Sequence, residues 1–194
     1  MHRARHGHGQ RHRTLKLTPA RKFIGMQRKP IEHGTISIHF VREALLAAQG
    51  RGVSVQAVLA RASIPLNFLD EPLARVSARQ FGSLWRELAR RLDDEFFALD
   101  TRPVRPGAFA LLCHALADCT DLKQVLRRMC RYTRVILNDM HASLEVRSGT
   151  VTLRLHDARS RTTPFAHATY FMVVYGLACW LIARRIPLVQ CRLA

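Results

Sequence analysis

Acidic residues are scarce in this sequence. Its 194 residues include 31 Lys and Arg but only 14 Asp and Glu, which gives a formal net charge of +17. A basic excess of this size is typical of proteins that bind nucleic acid or acidic membrane surfaces. Lysine is also rare, with four occurrences, so nearly all of this charge is arginine. Outside residues 1–33 the arginines stand singly or in pairs, which weakens the case for a binding face. GC-rich coding also explains the excess of arginine over lysine, and we favour that explanation.

The short motifs of common enzyme classes are absent as well. The sequence has no G-x-S-x-G, no H-E-x-x-H and no Gly-rich phosphate loop. Cys113 and His114 are adjacent, so on a helix their side chains diverge by about 100° and cannot form a nucleophile–base pair. The acidic run 93–95 lacks further metal ligands, and acids are common at a helix start because they face its positive end. We therefore predict no enzyme, no catalytic residue, no metal site and no cofactor.

The cysteines do not indicate a disulfide framework. Their number is five, no C-x-x-C occurs, and no secretory signal precedes them. Disulfides require an oxidising compartment, so free thiols acting as small apolar side chains are the simpler expectation. This predicts a cytoplasmic protein.

Residues 1–34 contain few residues that could form a core. They are basic and include four histidines in a Gly-rich tract, where no closed metal geometry is specified. These histidines are His2, His6, His8 and His12. We predict a disordered, basic and His-rich extension over residues 1–34, followed by one domain over residues 35–194.

Helical spacing of apolar residues predicts a series of capped helices from Ser37 onward. Ser37 and Ser54 are expected to cap the first two helices. Ser77 and Gln80 form an S-x-x-Q capping box in front of the strongest amphipathic stripe. Two more helices are expected to start near residue 106 and at a Thr120 cap. Their predicted inward residues are Phe109, Leu112, Ala115 and Leu116 in the first, and Leu122, Val125, Leu126, Met129 and Val135 in the second.

The final third of the chain predicts a hairpin and a long apolar helix. Alternating apolar residues flank the Ser148–Gly149 turn, which indicates two antiparallel strands. Residues 164–183 then carry no formal charge, which suits either a membrane span or a buried helix. The Thr163–Pro164 start is typical of a soluble helix, so we favour the buried helix. Residues 188–193 alternate again and predict an edge strand joining the hairpin.

These elements together predict an α+β fold, mostly helical, with a small antiparallel hairpin or sheet packed against a long buried helix. A ligand pocket, if present, is expected between the 109–116 helix, the hairpin and the 165–182 helix. His114, Tyr170 and Tyr175 are the candidates for its polar contacts.

Several segments, taken in order, carry a family resemblance. They are FVREALLAAQGRG, ASIPLNFLDEPLARVSARQFGSLWRELARRLDDEFFAL, PGAFALLCHALADCTDLKQVLRRMCRYTRVILND, the L-E-V…V-T-L-R-L hairpin and the late W-L-I…R-R-I-P. Over roughly four fifths of its length the chain resembles the amino-terminal sensor domain of AraC/XylS-type transcription regulators, of the arabinose-binding or dimerisation type.

The resemblance implies a small-molecule effector of unknown identity, homodimerisation and a regulatory role. It also implies that DNA is bound by a separate carboxy-terminal module with two helix-turn-helix units. That module is not in this sequence, so we interpret the chain as an incomplete, truncated sensor domain. Two alternatives stay open, namely a basic protein that binds nucleic acid non-specifically and a protein anchored in a membrane through residues 164–183.

Overall fold

A computed structural model describes residues 13–17, 36–157 and 162–192. The helices within these ranges are α1 (Ile38–Gln49), α2 (Val55–Arg61), α3 (Ala78–Leu92), α4 (Ala108–Ala117), α5 (Leu122–Ile136) and α6 (Pro164–Leu181), with a 3₁₀ helix at Leu66–Asp70. The strands are β1 (Arg13–Leu17), β2 (Ile36–Ser37), β3 (Arg75–Val76), β4 (Met140–Arg147), β5 (Thr150–Asp157) and β6 (Leu188–Arg192). About half of the chain is helical and its sheets are antiparallel, so the predicted α+β class is confirmed.

Strand β1 lies in the interior of the main sheet. The strand order is β4-β5-β1-β6, and Leu15 of β1 is opposite Leu153 on one side and Cys191 on the other. The prediction of disorder throughout residues 1–34 is therefore wrong for residues 13–17. The physical reason is the alternation in Arg13–Leu17, which lets Leu15 point into the core while the backbone of β1 forms hydrogen bonds with both neighbouring strands. The remaining residues of 1–34, including the four histidines, lie outside the described ranges.

Strand β6 is an edge strand, as expected, but it does not pair with the hairpin. It pairs with β1, which separates it from β5. The β4–β5 hairpin itself is confirmed, with eight paired positions that end at the Ser148–Gly149 turn. The sequence analysis missed β1, so it assigned β6 to the wrong neighbour.

The caps that the sequence indicates mostly form. Ser37, Ser54 and Thr163 each accept a hydrogen bond from an amide of the first helical turn, and both bonds of the Ser77–Gln80 capping box are present. The Thr120 cap is wrong. Helix α5 is capped instead by the carboxylate of Asp121, which accepts from the Gln124 amide at 2.8 Å.

The inward faces of α4 and α5 need correction at three positions. Phe109 and Ala115 are exposed on α4, which buries Leu112 and Leu116. Val135 is exposed on α5, where Thr133 follows Met129 on the buried face. Because a helix turns about 100° per residue, Val135 lies about 200° away from Thr133 and cannot share its face.

Two hydrophobic clusters form the interior. The first gathers buried residues of β1, β4, β5, α4, α5 and most of α6, and the second gathers those of α1, α2 and α3. Helix α6 begins in the second cluster with Phe165 and continues in the first with residues such as Phe171 and Leu177. The expected shared interior of hairpin and late helix is therefore present.

Helix α6 is long and apolar enough to cross a membrane by length and composition alone. Half of its residues are buried inside the protein, including Ala166, His167 and Ala178, which are fully covered. Core helices of soluble proteins meet the same length and composition criteria, so this is weak support for a span. The buried residues are spread along the helix from Phe165 to Ala178, which favours a core role.

Candidate ligand-binding cavity

A cavity of about 700 Å³ lies among α3, α4, α5 and α6. Each helix contributes apolar side chains to its wall, for example Trp85, Leu112, Met129 and Leu177. Its volume falls in the range of about 300–1,000 Å³ that is usual for sites binding small molecules. Its walls come from both hydrophobic clusters, since Trp85 packs with the second and Leu177 belongs to the first. A ligand held here would contact both halves of the interior.

The α3 wall is built around Trp85. The capping box fixes the start of α3, and the Trp85 ring packs edge-on against Phe97 with a centroid separation of 4.4 Å. Phe97 is fully buried and adopts φ 58°, a left-handed conformation that costs a bulky residue about 1–3 kcal/mol. Packing against Trp85 offsets this cost. The wall is therefore a fixed aromatic surface.

The α6 wall is partly open to solvent. Met172, Gly176 and Trp180 line the cavity from one side of this helix, and Trp180 is 68% exposed at the mouth. A methyl group built on Gly176 would meet no atom within 4 Å. The cavity therefore has free space next to the helix backbone at this point.

Carboxylates hold the chain segment between α3 and α4 that closes the cavity. Asp94 is buried, and its carboxylate accepts hydrogen bonds from the amides of Phe96, Ala98 and Val104 at 2.8–2.9 Å. Phe96 and Val104 in turn line the cavity. The side chain of Asp94 thus positions part of the wall from behind.

Glu95 caps the next helix rather than its own segment. Its carboxylate accepts from the amides of Gly107 and Phe109 at 2.8 and 2.7 Å, at the positive end of α4. The expectation that residues 93–95 begin a helix is wrong, because Asp93 is the left-handed cap (φ 51°) that follows the last residue of α3, and no helix starts there. Of the three acids, Glu95 does meet a helix start, but it is that of α4, whose Gly107 amide lies twelve residues further along the chain.

The hydroxyl groups of the wall already have partners within the protein. Thr133 Oγ1 lies 3.0 Å from the Met129 carbonyl and 3.0 Å from the Tyr170 hydroxyl. The Tyr132 hydroxyl donates to the Ala108 carbonyl. These bonds join α5 to α6 and to α4, so they fix the spacing of three of the four helices.

Burial raises the pKa of two phenols and one thiol in the wall. It raises the pKa of the Tyr170 phenol far above its ordinary value. Burial is also the main cause that raises the pKa of the Cys113 thiol and the Tyr132 phenol, and the nearby Glu95 charge adds to both shifts. The interior of the cavity therefore carries no charge from its phenols or from this thiol.

The predicted pocket is partly correct. Tyr170, the 109–116 helix and the late helix do line the cavity. His114 is exposed on α4, and the Tyr175 hydroxyl donates to the Ile186 carbonyl at 2.9 Å outside the lining. The hairpin supplies no lining residue, whereas α3 supplies Gly82, Trp85, Arg86 and Ala89, which the sequence analysis missed. The sequence contains only a weak indication that these residues line a cavity, because ordinary core packing also explains the apolar stripe of α3.

Within residues 13–17, 36–157 and 162–192, no group of three or more His, Cys, Asp or Glu side chains has the geometry to hold a metal ion. The five cysteines are free thiols. The acidic residues 94 and 95, considered above as metal ligands, are instead used for backbone hydrogen bonds.

Comparison with known proteins gives one family. The family model described as "Arabinose-binding domain of AraC transcription regulator, N-term" matches residues 52–194. The match includes all four helices of the cavity, while β1 and α1 precede it. No curated protein and no solved structure matches the chain. The family is a regulatory one rather than a family of enzymes. Since the match covers most of its length, the chain belongs to the amino-terminal arabinose-binding domain family of AraC transcription regulators.

Proposed function

We propose that this chain is the effector-sensing and dimerisation portion of an AraC-family regulator, with the effector bound in the cavity among α3, α4, α5 and α6. The observation that carries the proposal is a mostly apolar cavity of ligand size whose lining residues all lie inside the family match. In this proposal residues 35–194, together with β1, form the sensor domain in the cytoplasm. DNA is contacted through a carboxy-terminal module outside this sequence.

The position of the cavity suits a sensor. A bound ligand would touch α3 on one side and α5 and α6 on the other, so it would favour the arrangement in which these walls fit it best. Helix α6 leads through Ile186 to β6, and the Tyr175 hydroxyl ties the two by its bond to the Ile186 carbonyl. A shift of α6 is therefore passed to the sheet edge.

That edge is our candidate dimer surface. Among the strands of the described ranges, β6 is paired on one side only, and Val189 on it is 61% exposed. An unpaired edge offers backbone donors and acceptors to a second strand. Two copies joined edge to edge would extend the sheet across both β6 strands and pair their free backbone groups.

Size-exclusion chromatography with light scattering on the full chain tests the dimer. We expect a dimer for the native sequence and a monomer for Val189→Lys, since a lysine on an edge strand opposes pairing. Leu73→Lys is the matched control, because Leu73 is an apolar residue that is 92% exposed in the loop before β3 and is not part of the four-stranded sheet. A native chain that is monomeric at all accessible concentrations contradicts the dimer proposal.

Non-specific nucleic-acid binding is the second candidate. Its support is a row of exposed arginines on the outer face of α5, at positions 127, 131 and 134, in a chain of net charge +17. Gel shift of random duplex DNA at low and high salt tests it. Retention that ignores sequence and falls steeply with salt supports this candidate, because such binding is driven by counterion release.

A further inference from the structure

We infer that the cavity takes a largely apolar, uncharged molecule with a single hydrogen-bonding group at its inner end, and does not take a sugar. The inference rests on the proposed function, since it assumes that the cavity is the effector site. It departs from the ligand that the family is named after.

Most of the hydrogen-bonding groups that line the cavity already have partners within the protein. Among the described lining residues, Tyr132 donates to a backbone carbonyl, Thr133 and Tyr170 bond to each other, and Glu95 accepts from two backbone amides. Arg86 donates to Ser83 at 3.0 Å on the exposed rim. The rest of the lining is apolar apart from the Cys113 thiol, a weak donor, and the indole N–H groups of Trp85 and Trp180, which are single donors on large apolar rings.

A sugar would lose its hydrogen bonds to water without gaining replacements. Each hydroxyl group buried without a partner lowers affinity by roughly 5- to 150-fold. A sugar carries several such groups around its ring, and this wall cannot satisfy them together. The cavity therefore selects against polyhydroxylated ligands.

One acceptor remains at the inner end. The single hydroxyl proton of Thr133 points to a backbone carbonyl of its own helix, at Met129 or Cys130. Tyr170 must then donate its proton to Thr133, so the Tyr170 oxygen can still accept one hydrogen bond. A ligand hydroxyl or N–H at this point would complete the network. Long-chain alcohols and alkylphenols have this combination of an apolar body and one donor.

The chain carries its own reporters for the test. It has two tryptophans, Trp85 and Trp180, and both line the cavity. The uncharged fluorophore N-phenyl-1-naphthylamine is added to the native chain, and its binding is measured by energy transfer from tryptophan. Straight-chain 1-alkanols are then titrated to displace it, and L-arabinose and D-glucose are titrated in parallel. We expect alkanol affinity to rise about fourfold per methylene until the cavity is full, and no displacement by either sugar.

Cavity-filling variants locate the binding. Gly176→Leu places a side chain in open space on the α6 wall. We expect alkanol affinity to fall at least roughly tenfold, because the new side chain takes the space of several methylene groups of the ligand. Gly82→Leu on α3 is a second filling variant, where the added group meets the flexible end of Arg86 at 3.6 Å. Gly50→Leu is the matched control, since it also has open space but lies at the end of α1, away from the lining.

The hydroxyl of Tyr170 has a test of its own. The native chain should bind a 1-alkanol more tightly than the methyl ether of equal chain length, because the ether has no proton to donate. Tyr170→Phe removes the acceptor, and we expect the preference to drop by roughly 2- to 12-fold. An unchanged preference overturns the assignment of this inner acceptor.

The remaining outcomes separate the inference from the proposed function. Displacement of the fluorophore by a sugar, abolished in Gly176→Leu, overturns the apolar class but leaves the cavity as the effector site. Alkanol binding that is equal in Gly176→Leu, Gly82→Leu and Gly50→Leu overturns the placement in this cavity. Failure of the fluorophore, the alkanols and the sugars to bind overturns both.

Discussion

The carboxylate of Asp94 should contribute more to stability than any other acidic side chain described above. It is 3% exposed and accepts three amide hydrogen bonds, two of them buried. A hydrogen bond to a charged group contributes about 1.5–3 kcal/mol, and an amide left unpaired by truncation costs about as much. Solvent can reach the Ala98 amide, so the three bonds do not add fully. We expect Asp94→Ala to lower the free energy of unfolding by roughly 3–5 kcal/mol.

Asp94→Asn should have a smaller effect of about 1.5–3 kcal/mol. The amide oxygen can replace Oδ1, which serves Phe96 and Val104, but the NH₂ group would then face the Ala98 amide. Urea unfolding followed by tryptophan fluorescence measures both variants. A loss of 2 kcal/mol should move the midpoint by about 1 M, given usual slopes of about 1–3 kcal/mol per molar urea.

The neighbouring Asp93 is the matched control. It is 59% exposed, pairs with the exposed Arg105, and sits at the left-handed end of α3, a conformation that asparagine tolerates. Asp93→Asn should therefore change stability by less than about 1 kcal/mol. A midpoint for Asp94→Ala that equals the midpoint for Asp93→Asn would refute the role of Asp94 in holding the segment.

Three further outcomes are expected from urea unfolding. Leu15→Ala should lower the free energy of unfolding by roughly 2–4 kcal/mol, because Leu15 is buried on the strand between β5 and β6. Lys16→Ala should lower it little, and equal effects of the two variants would show that β1 does not belong to the sheet. Gly176→Ala should stabilise by about 0.5–1 kcal/mol through helix propensity, since the added methyl meets nothing, and a loss of stability would contradict the open space there. Hydrogen bonds from Arg90, then Arg91, lower the pKa of Glu87 from 4.5 to about 2, so its stabilisation should be present above pH 4.5 and fade as pH falls towards 2. Because Arg90 is largely exposed, the effect should stay below about 1 kcal/mol, and Glu87→Gln should remove this part of the pH dependence.

Features set by near neighbours in the chain were mostly read correctly from the sequence, apart from the Thr120 cap and three inward positions of α4 and α5. Serine and threonine caps, the capping box of α3, the hairpin turn and the buried character of α6 each depend on neighbours within a few positions. Local hydrogen bonds and side-chain periodicity determine such features, so the sequence specifies them directly. The family resemblance also came from ordered local segments, and the family match confirms it.

Errors fall where a long-range partner decides the outcome. A five-residue strand is too short to be recognised by its period, and β1 becomes a strand because β5 and β6 lie on either side of it. Phe109 and Val135 are apolar but exposed, because the first lies at the cavity mouth and the second faces away from the core. Glu95 finds its partners at the start of the following helix, which the acidic run alone does not reveal.

The sequence by itself determined the α+β class, the capped helices, the hairpin and membership of a regulatory family. Only the tertiary structure decided the strand order and the cavity, with its two tryptophans and its satisfied hydroxyl groups. The physical reason is that a cavity is the space left when separate helices pack. Its shape and its free hydrogen-bonding capacity depend on contacts between residues far apart in the chain, such as Thr133 and Tyr170, and no local pattern specifies them.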